Sequence, residues 1–272
     1  MKRKGARLGQ HFLTGQWAAR ALARAAGITS GDTIIEIGPG KGALTKELLG
    51  LGAHVIAIEK DPTFHEGLTK SFMEYRSSLE LIRSDIRDID LQTLPIPEGK
   101  YVVAANIPYY ITGEIIRKFL TSPLQPQTMA LLVQKEVANR IISKKESILS
   151  LSVKAYGTPT LVAKVARGNF SPPPSVDSAI LLISNISRSF FEDVEEPTFF
   201  KMVRAGFSSK RKLLMSNLNN IGFTKPYIIR RVFESCDLGE NVRAEDVPIE
   251  KWKCLTKQLR AFSFQLPGAR KI

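Results

Sequence analysis

The tetrapeptide Asn106-Ile107-Pro108-Tyr109 contains residue types that suit one particular chemistry. The exocyclic amine of adenine is a poor nucleophile because its lone pair is delocalised into the ring. The Asn106 side-chain carbonyl and the backbone carbonyl of Ile107 or Pro108 could accept both amine hydrogens and turn that lone pair out of conjugation. Pro108 fixes its own φ and keeps Ile107 extended, which would hold those carbonyls in place. Tyr109 offers a flat face for a stacked base.

Taken alone, this tetrapeptide could equally be a turn at the end of a strand, in which the asparagine caps, the proline turns and the tyrosine packs. Its place in the chain is therefore what matters. It follows an apolar segment that reads as the fourth strand of a chain whose first strand ends in a glycine-rich turn. That context favours the reading as an amine-binding site.

The glycine-rich turn is Gly38-Pro39-Gly40-Lys41-Gly42, between a predicted strand and a predicted helix. Glycine permits a sharp bend and lets a ligand approach the backbone closely. The helix that follows presents free N–H groups and the positive end of its dipole. An acid about 20 residues further on, at the end of the second strand, suits a ribose diol, and Glu59 stands there. Asp85, past the third strand, could accept a hydrogen bond from a nucleotide base.

Two kinds of cofactor fit this turn. Gly38-x-Gly40-x-x-Ala43 satisfies the loose dinucleotide fingerprint. However, Pro39 removes one N–H from the loop that should cradle a pyrophosphate, and Glu36 places an anion near the expected phosphates. S-adenosylmethionine carries a sulfonium and an ammonium group and no phosphate. The residues favour it, and a nicotinamide dinucleotide remains the rival.

Apolar strand-like segments alternate with helical patterns along the first two thirds of the chain, which predicts a doubly wound, mostly parallel α/β sheet. In such sheets, ligands bind beyond the carboxyl ends of the strands. Gly38, Glu59, Asp85 and Asn106 each follow a strand and should meet at that edge. The predicted strands cover Thr33–Ile37, His54–Ile58, Leu79–Arg83, Tyr101–Ala105, Met129–Gln134 and Ser178–Ile183.

The composition changes to Ser, Asn, Asp and Glu over residues 184–197, which we interpret as a linker. The segments after it have helical patterns and show no strand alternation. We therefore predict two domains, a cofactor-binding domain over residues 1–185 and a small helical domain over residues 197–272. The helical domain contains the basic run Lys210-Arg211-Lys212, which suits RNA phosphates.

The net charge of +13 in 272 residues indicates a polyanionic partner, either nucleic acid or an acidic membrane surface. The two cysteines, Cys236 and Cys254, have no metal-ligand spacing, and the three histidines are distant from them. This pattern favours neither a disulfide nor a zinc site and suits a reducing cytoplasm. No apolar run approaches the length of a membrane span.

Taken together, these segments resemble the ribosomal RNA small-subunit adenine dimethyltransferase (KsgA-type) family, a group that also includes the Erm and mitochondrial enzymes. The resemblance covers most of residues 5–215 and rests on several motifs that are specific only in combination. They are Leu8-Gly9-Gln10-His11-Phe12-Leu13, Ile35-Glu36-Ile37-Gly38-Pro39-Gly40, Ala105-Asn106-Ile107-Pro108-Tyr109, Gln134-Lys135-Glu136-Val137-Ala138-Asn139-Arg140 and Phe170-Ser171-Pro172-Pro173-Pro174-Ser175-Val176-Asp177-Ser178.

The resemblance implies a Rossmann-like methyltransferase sheet and S-adenosylmethionine as methyl donor. We expect no metal, because the sulfonium is already a good leaving group. The resemblance also implies that the segment Gln10–Leu13 folds over the cofactor, and that Phe170 flanks the target adenine opposite Tyr109. Relatives often have Asn at the position of His11 and Leu at that of Ile107, and residues 146–150 depart from the family. The implied cofactor positions are His11, Leu13, Gly38, Glu59, Asp85 and Asn106, and the implied catalytic positions are Asn106, Pro108, Tyr109 and Phe170.

The family resemblance further implies dimethylation of two adjacent adenosines near the 3′ end of small-subunit (16S) rRNA during ribosome assembly. The expected partner is that rRNA or a 30S precursor, with a monomeric chain in the cytoplasm and no membrane. Two alternatives stay open: an Erm-like enzyme acting on large-subunit rRNA, and a non-catalytic assembly factor. The Pro172-Pro173-Pro174 run argues against the former, and the intact Gly38, Glu59 and Asn106 set against the latter.

Overall fold

The computed structural model describes residues 11–96, 100–219 and 226–264. The Leu8–Gln10 part of the first motif lies outside these residues. The strands are β1 (Phe12–Leu13), β2 (Thr33–Ile37), β3 (His54–Ile58), β4 (Leu79–Ile82), β5 (Tyr101–Asn106), β6 (Thr128–Gln134), β7 (Thr158–Val165), β8 (Phe170–Ser171) and β9 (Ser178–Ser184). The α-helices are α1 (Gln16–Ala25), α2 (Ala43–Gly50), α3 (Pro62–Ser71), α4 (Thr112–Thr121), α5 (Lys135–Ile142), α6 (Ile148–Lys154), α7 (Glu196–Gly206), α8 (Leu214–Asn219), α9 (Pro226–Ser235) and α10 (Ile249–Phe264).

The chain forms two compact units. The first consists of the described part of Met1–Asn139 together with Gly157–Ile186, and the second of Arg140–Tyr156 together with the described part of Ser187–Ile272. Segment 140–156, which the sequence placed in the first domain, therefore groups with the helices that follow residue 187. The division into a cofactor-binding and an RNA-binding domain stays a prediction.

The first unit is built on a seven-stranded sheet in the order β4-β3-β2-β5-β6-β9-β7. Strands β4, β3, β2, β5 and β6 are parallel, and β9 is antiparallel to both of its neighbours. The parallel strands are almost continuously apolar because helices cover both faces of such a sheet. The predicted doubly wound α/β fold is confirmed, and the six predicted strands match the observed ones to within one residue at each end.

The sequence analysis missed β7, at the edge of the sheet. Its residues alternate between exposed and partly buried along most of its length. An edge strand with one solvated face lacks the apolar run by which the central strands are recognised. The two-residue strands β1 and β8 were not predicted from the sequence either. They pair antiparallel in a small separate sheet.

The register of the central strands determines which residues meet at the carboxyl edge. Ile37 of β2 pairs with Ile58 of β3 on one side and with Ala105 of β5 on the other. The next residues along the chain are Gly38, Glu59 and Asn106. Hydrogen-bond pairing alone thus brings three of the predicted site residues together.

The second unit consists of helices, as the C-terminal composition predicts. Helix α10 packs against α7 and α9, and Trp252 is fully buried against Gly206, where a Cβ would overlap the indole. The predicted linker also packs, since Phe190 and Phe191 contact Phe199. Within the described residues, no helix is long and apolar enough to cross a membrane.

The expectation that no disulfide forms is wrong, because the structure joins Cys236 to Cys254. The two residues are 18 apart in sequence, and their Cα atoms are 5.8 Å apart, within the range that a disulfide spans. Spacing along the chain could not reveal this pair. The cysteines meet only because Cys236, at the end of α9, comes beside α10.

Reduction of this bond should lower the midpoint of thermal unfolding. Closing a loop of this length contributes about 3 kcal/mol by restricting the unfolded chain. Calorimetry with and without dithiothreitol measures the shift. The Cys236→Ser/Cys254→Ser variant should unfold at the same temperature under both conditions, and a wild-type chain indifferent to reductant would contradict the bond.

Candidate active site

A cavity of about 380 Å³ opens at the carboxyl edge of the sheet, within the first unit. This volume falls in the range of small-molecule sites. Seven of the predicted site residues line it: His11, Gly38, Glu59, Asp85, Asn106, Pro108 and Tyr109. Leu13 lines a separate cavity of about 20 Å³ together with Glu36, Gly38 and Asn106. Phe170 lines neither cavity.

The glycine turn is tied to the end of β3. The Gly38 N–H donates to the Ile58 carbonyl at 2.9 Å. Glu59 is 5% exposed, and its carboxylate accepts from the Gly40 N–H at 3.1 Å and from the Asp61 N–H at 2.9 Å. Glu59 thus holds the turn in shape and still faces the cavity.

Gly38 has a φ of +63°, and a Cβ built there meets no atom within 4 Å. Because Gly38 lines the cavity, the space beside it is left for a ligand that approaches the backbone. Gly40 has a φ of +56°, and a Cβ there would lie 2.8 Å from the Phe12 ring. Gly40 therefore leaves room for Phe12, which covers the turn.

Glu36, at the end of β2, is a buried acid with an unsatisfied oxygen. It is 1% exposed, and its Oε2 atom has no hydrogen-bond partner. Burial raises the pKa of this carboxyl to about 8. A positive group in the adjoining space would satisfy the oxygen and favour ionisation. This orphaned acid fits a cationic ligand such as S-adenosylmethionine and offers no counter-charge to a pyrophosphate.

The raised pKa of Glu36 predicts a pH dependence of stability in the absence of cofactor. The pKa of this carboxyl is ordinarily 4.5 and is about 8 in the folded chain. The stability that the neutral carboxyl contributes is therefore fully present below pH 4.5 and is lost as the pH rises through 8. The unfolding free energy should fall by up to about 1.4 kcal/mol per pH unit within that window. Denaturant titrations of wild type and Glu36→Gln over this range provide the comparison. Parallel profiles for the two proteins would refute the assignment.

Asp85 is held by two cations at the rim of the cavity. Its carboxylate accepts a charge-assisted hydrogen bond from Arg87 at 2.8 Å and another from Lys60 at 3.4 Å. The Arg87 guanidinium is the main reason that the pKa of Asp85 lies well below its usual range. Asp85 therefore stays ionised and acts only as an acceptor.

Asn106 ends β5 with its side-chain amide in a definite orientation. Its Nδ2 donates to the His11 backbone carbonyl at 2.9 Å, which leaves Oδ1 for another partner. The Pro108 carbonyl already accepts from the Ile111 N–H at 3.2 Å. The Asn106 carbonyl can thus serve as the acceptor that the tetrapeptide predicts.

Tyr109 is half-buried at the cavity wall. Its hydroxyl shares a hydrogen bond of 2.6 Å with the Ser178 hydroxyl, and burial raises the pKa of the phenol. The His11 ring lies beside it, with centroids 5.7 Å apart and planes tilted by 31°. The phenol ring is therefore fixed at both its hydroxyl end and one flank.

Phe170 differs from its expected place opposite Tyr109. It is 4% exposed and belongs to the core cluster that also contains Leu13. The pairing of β8 with β1 sets Phe170 across from Leu13, which turns its ring into the core. A role for that ring beside a bound base would require it to leave this packing.

Several residues of the site were missed from the sequence. Phe12 contacts Phe64 with ring centroids 4.9 Å apart, and the Lys41 ammonium lies 5.4 Å from the Phe12 ring centroid. Tyr110 lines the cavity and is 63% exposed. Arg87 could have been suspected, since it lies two residues after Asp85. Phe12 lies in the segment Gln10–Leu13 expected to fold over the cofactor, but only His11 and Leu13 of that segment were singled out. Tyr110 has no such signal, because an aromatic residue next to a motif is usually part of the core.

In the ranges that the structure describes, no group of three or more His, Cys, Asp or Glu side chains is arranged to hold a metal ion. A reaction without a metal remains a prediction.

The architecture is that of Rossmann-like methyltransferases. The chain superposes on a dimethyladenosine transferase from Plasmodium falciparum with a TM-score of 0.79, 26% identity and coverage of 92% of this chain and 98% of that one. It also superposes on the 23S rRNA methyltransferase ErmE with a TM-score of 0.74, 24% identity and coverage of 92% and 99%. The ErmE likeness shows the fold alone.

Sequence comparison identifies the family. The model described as ribosomal RNA adenine dimethylase matches residues 1–260. The ribosomal RNA small subunit methyltransferase A of Dehalococcoides mccartyi is 42% identical, covering 93% of this chain and 87% of that protein. The protein of the same name from Clostridioides difficile is 34% identical, with coverage of 92% and 88%. The chain belongs to the ribosomal RNA adenine dimethylase family and is a methyltransferase.

Proposed function

We propose that this protein dimethylates the exocyclic amines of two adjacent adenosines near the 3′ end of small-subunit rRNA during ribosome assembly. The observation that carries the proposal is the Asn106 amide, whose NH₂ group is engaged by the His11 carbonyl so that its oxygen remains available at the cavity. The choice of small-subunit rRNA rests on the names of the relatives. The partner is that rRNA or a 30S precursor particle.

S-adenosylmethionine would supply an electrophilic methyl group on a sulfonium. Glu59 would accept hydrogen bonds from the ribose hydroxyls, since it already lies between the glycine turn and the cavity. Asp85 would accept from the adenine amine, in competition with Arg87. Glu36, beside Gly38 and Leu13, would face the ammonium group. His11 would belong to the segment that folds over the bound cofactor.

Asn106 Oδ1 and the Ile107 carbonyl would accept the two hydrogens of the target amine, because the Pro108 carbonyl already has a donor. Pro108 keeps Ile107 extended, which holds both acceptors on one side of the amine. The acceptors raise the amine's nucleophilicity by localising its lone pair. The Tyr109 ring would stack on the extruded base, and Phe170 would join it only after leaving the core.

Each transfer would form a bond between the amine nitrogen and the methyl carbon and break the bond between that carbon and the sulfonium sulfur, whose electron pair leaves with S-adenosylhomocysteine. One proton on the amine then remains to be lost. The alkylated amine is acidic, so this proton can pass to water without a strong base. The contribution of the chain is therefore alignment and the fixed dipoles of its acceptors. A second transfer needs the same geometry with one hydrogen fewer on the amine.

The positive charge of the chain suits the proposed RNA substrate. Lys210, Arg211 and Lys212 are exposed in the helical unit and would bind phosphates. We propose that the protein is a monomer and acts in the cytoplasm, where small subunits assemble, without binding a membrane. The Cys236–Cys254 bond would then face a reducing environment.

The test incubates the chain with labelled S-adenosylmethionine and unmethylated small subunits, and separately with unmethylated large-subunit rRNA, followed by nucleoside analysis of each rRNA. Labelled dimethyladenosine from the small subunit supports the proposal. Product from large-subunit rRNA alone would favour the Erm-like alternative. Binding without any methylated nucleoside would identify an assembly factor and overturn the proposal.

A further inference from the structure

His11 lies where three parts of the candidate active site meet. Its backbone carbonyl accepts from Asn106 Nδ2 at 2.9 Å. Its ring Nδ1 lies 2.8 Å from the Pro172 carbonyl, and a carbonyl can only accept, so Nδ1 must carry the proton. Its ring also flanks Tyr109.

The contact with Asn106 decides which end of the amide faces the target amine. A carboxamide turned by 180° would present NH₂, which cannot accept hydrogens from an amine. The His11 carbonyl accepts only from NH₂ and therefore selects the orientation in which Oδ1 remains free. The acceptor end of Asn106 is thus set by a residue 95 positions away in sequence.

The position of the His11 carbonyl depends in turn on the His11 side chain. The following residues are already secured, because β1 pairs with β8 and the Thr14 N–H donates to the Asn169 carbonyl at 2.9 Å. His11 itself precedes β1. Its side chain is held by the hydrogen bond from Nδ1 to the Pro172 carbonyl. Loss of that contact would release the carbonyl that orients Asn106.

We propose that His11 is a positioning residue for methyl transfer, which holds the Asn106 amide with its oxygen toward the target amine through the contact between its ring and Pro172. The inference rests on the proposed function and deepens it. It differs from the role implied by the family resemblance, in which His11 contacts the cofactor. The two roles predict opposite effects on catalysis and cofactor binding.

His11→Ala should lower the single-turnover rate of methyl transfer about tenfold, the effect of one lost hydrogen bond in the aligned state. Its Kd for S-adenosylmethionine should stay within about threefold of wild type, because Phe12 and the glycine turn remain in place. Single-turnover methylation of small subunits gives the rate, and calorimetry gives the Kd. His11→Asn should restore the rate, because its amide can donate to the same carbonyl.

Two further variants control the experiment. Thr14→Ala changes an exposed side chain in the same segment and should behave as wild type. His11→Phe keeps a ring beside Tyr109 without a donor and should be as slow as His11→Ala. It replaces the alanine variant if that chain does not fold.

A raised Kd with an unchanged single-turnover rate would overturn the positioning role in favour of a cofactor contact. An unchanged rate and Kd in both His11→Ala and His11→Phe would overturn it as well, and so would failure of His11→Asn to recover. These outcomes leave the proposed function intact, provided that the wild-type chain forms dimethyladenosine. A wild-type chain that forms none would remove both.

Discussion

Asn106→Ala should slow methyl transfer severely while the chain keeps its fold and its affinity for S-adenosylmethionine. The variant removes the side-chain acceptor that localises the amine lone pair and leaves the backbone of β5 unchanged. The loss of one preorganised group at a reacting centre lowers the rate by about 10²–10³-fold. Single-turnover methylation of unmethylated small subunits measures this loss, and calorimetry measures cofactor binding.

The matched control is Gln92→Ala, which removes an exposed amide away from the cavity and should methylate at the wild-type rate. Thermal unfolding shows whether Asn106→Ala remains folded. Asn106→Asp tests the geometry separately, because a carboxylate can accept from the amine but cannot donate to the His11 carbonyl. Full activity in Asn106→Ala would refute the role assigned to the tetrapeptide.

Glu59→Ala should abolish cofactor binding at concentrations that saturate the wild-type chain. The variant removes the proposed ribose acceptor and also leaves the Gly40 and Asp61 N–H groups without their partner. An unpaired buried N–H costs about 1–3 kcal/mol, so the turn should loosen and the chain should unfold at a lower temperature. We expect the Kd for S-adenosylmethionine to rise by at least about 100-fold, which corresponds to the loss of two hydrogen bonds from the ribose hydroxyls to the charged carboxylate.

Glu59→Gln separates the two roles of this side chain. Its single amide oxygen can replace one of the two acceptors, so affinity and stability should lie between those of wild type and Glu59→Ala. Glu66→Ala, an exposed acid on α3, should match wild type in both measurements. Wild-type affinity in Glu59→Ala would place the ribose elsewhere in the cavity.

The arrangement of the sheet was largely readable in the sequence, because buried parallel strands are short apolar runs and each ends at a glycine or a polar residue. Strand β2 and its glycine turn illustrate this, since four of its five positions are apolar or β-branched and the strand leads directly to Gly38. The edge strand β7 was not readable, because one of its faces is solvated and it lacks the continuous apolar run of the central strands. The pairing of β1 with β8 is equally hidden, since two residues carry no periodicity.

The Asn106–Tyr109 tetrapeptide shows the same division within the active site. Its residue types and its place after a strand were enough to indicate amine chemistry, since the chemistry requires an acceptor, a rigid backbone and a flat ring. The orientation of the amide was not accessible, because it depends on the His11 carbonyl, which reaches Asn106 only through folding. The position of Phe170 was inaccessible for a similar reason, since strand pairing turned its ring into the core.

The sequence by itself determined the central strands of the sheet and the family and predicted the cofactor edge and the acceptor residue, because each depends on short-range patterns in the chain. The tertiary structure decided that Glu36 is a buried acid with one unsatisfied oxygen, that Arg87 pairs with Asp85, and that Cys236 meets Cys254. It also decided that His11 orients Asn106. Each of these depends on contacts between segments distant in sequence or on burial, and both are set by the packing of the whole unit.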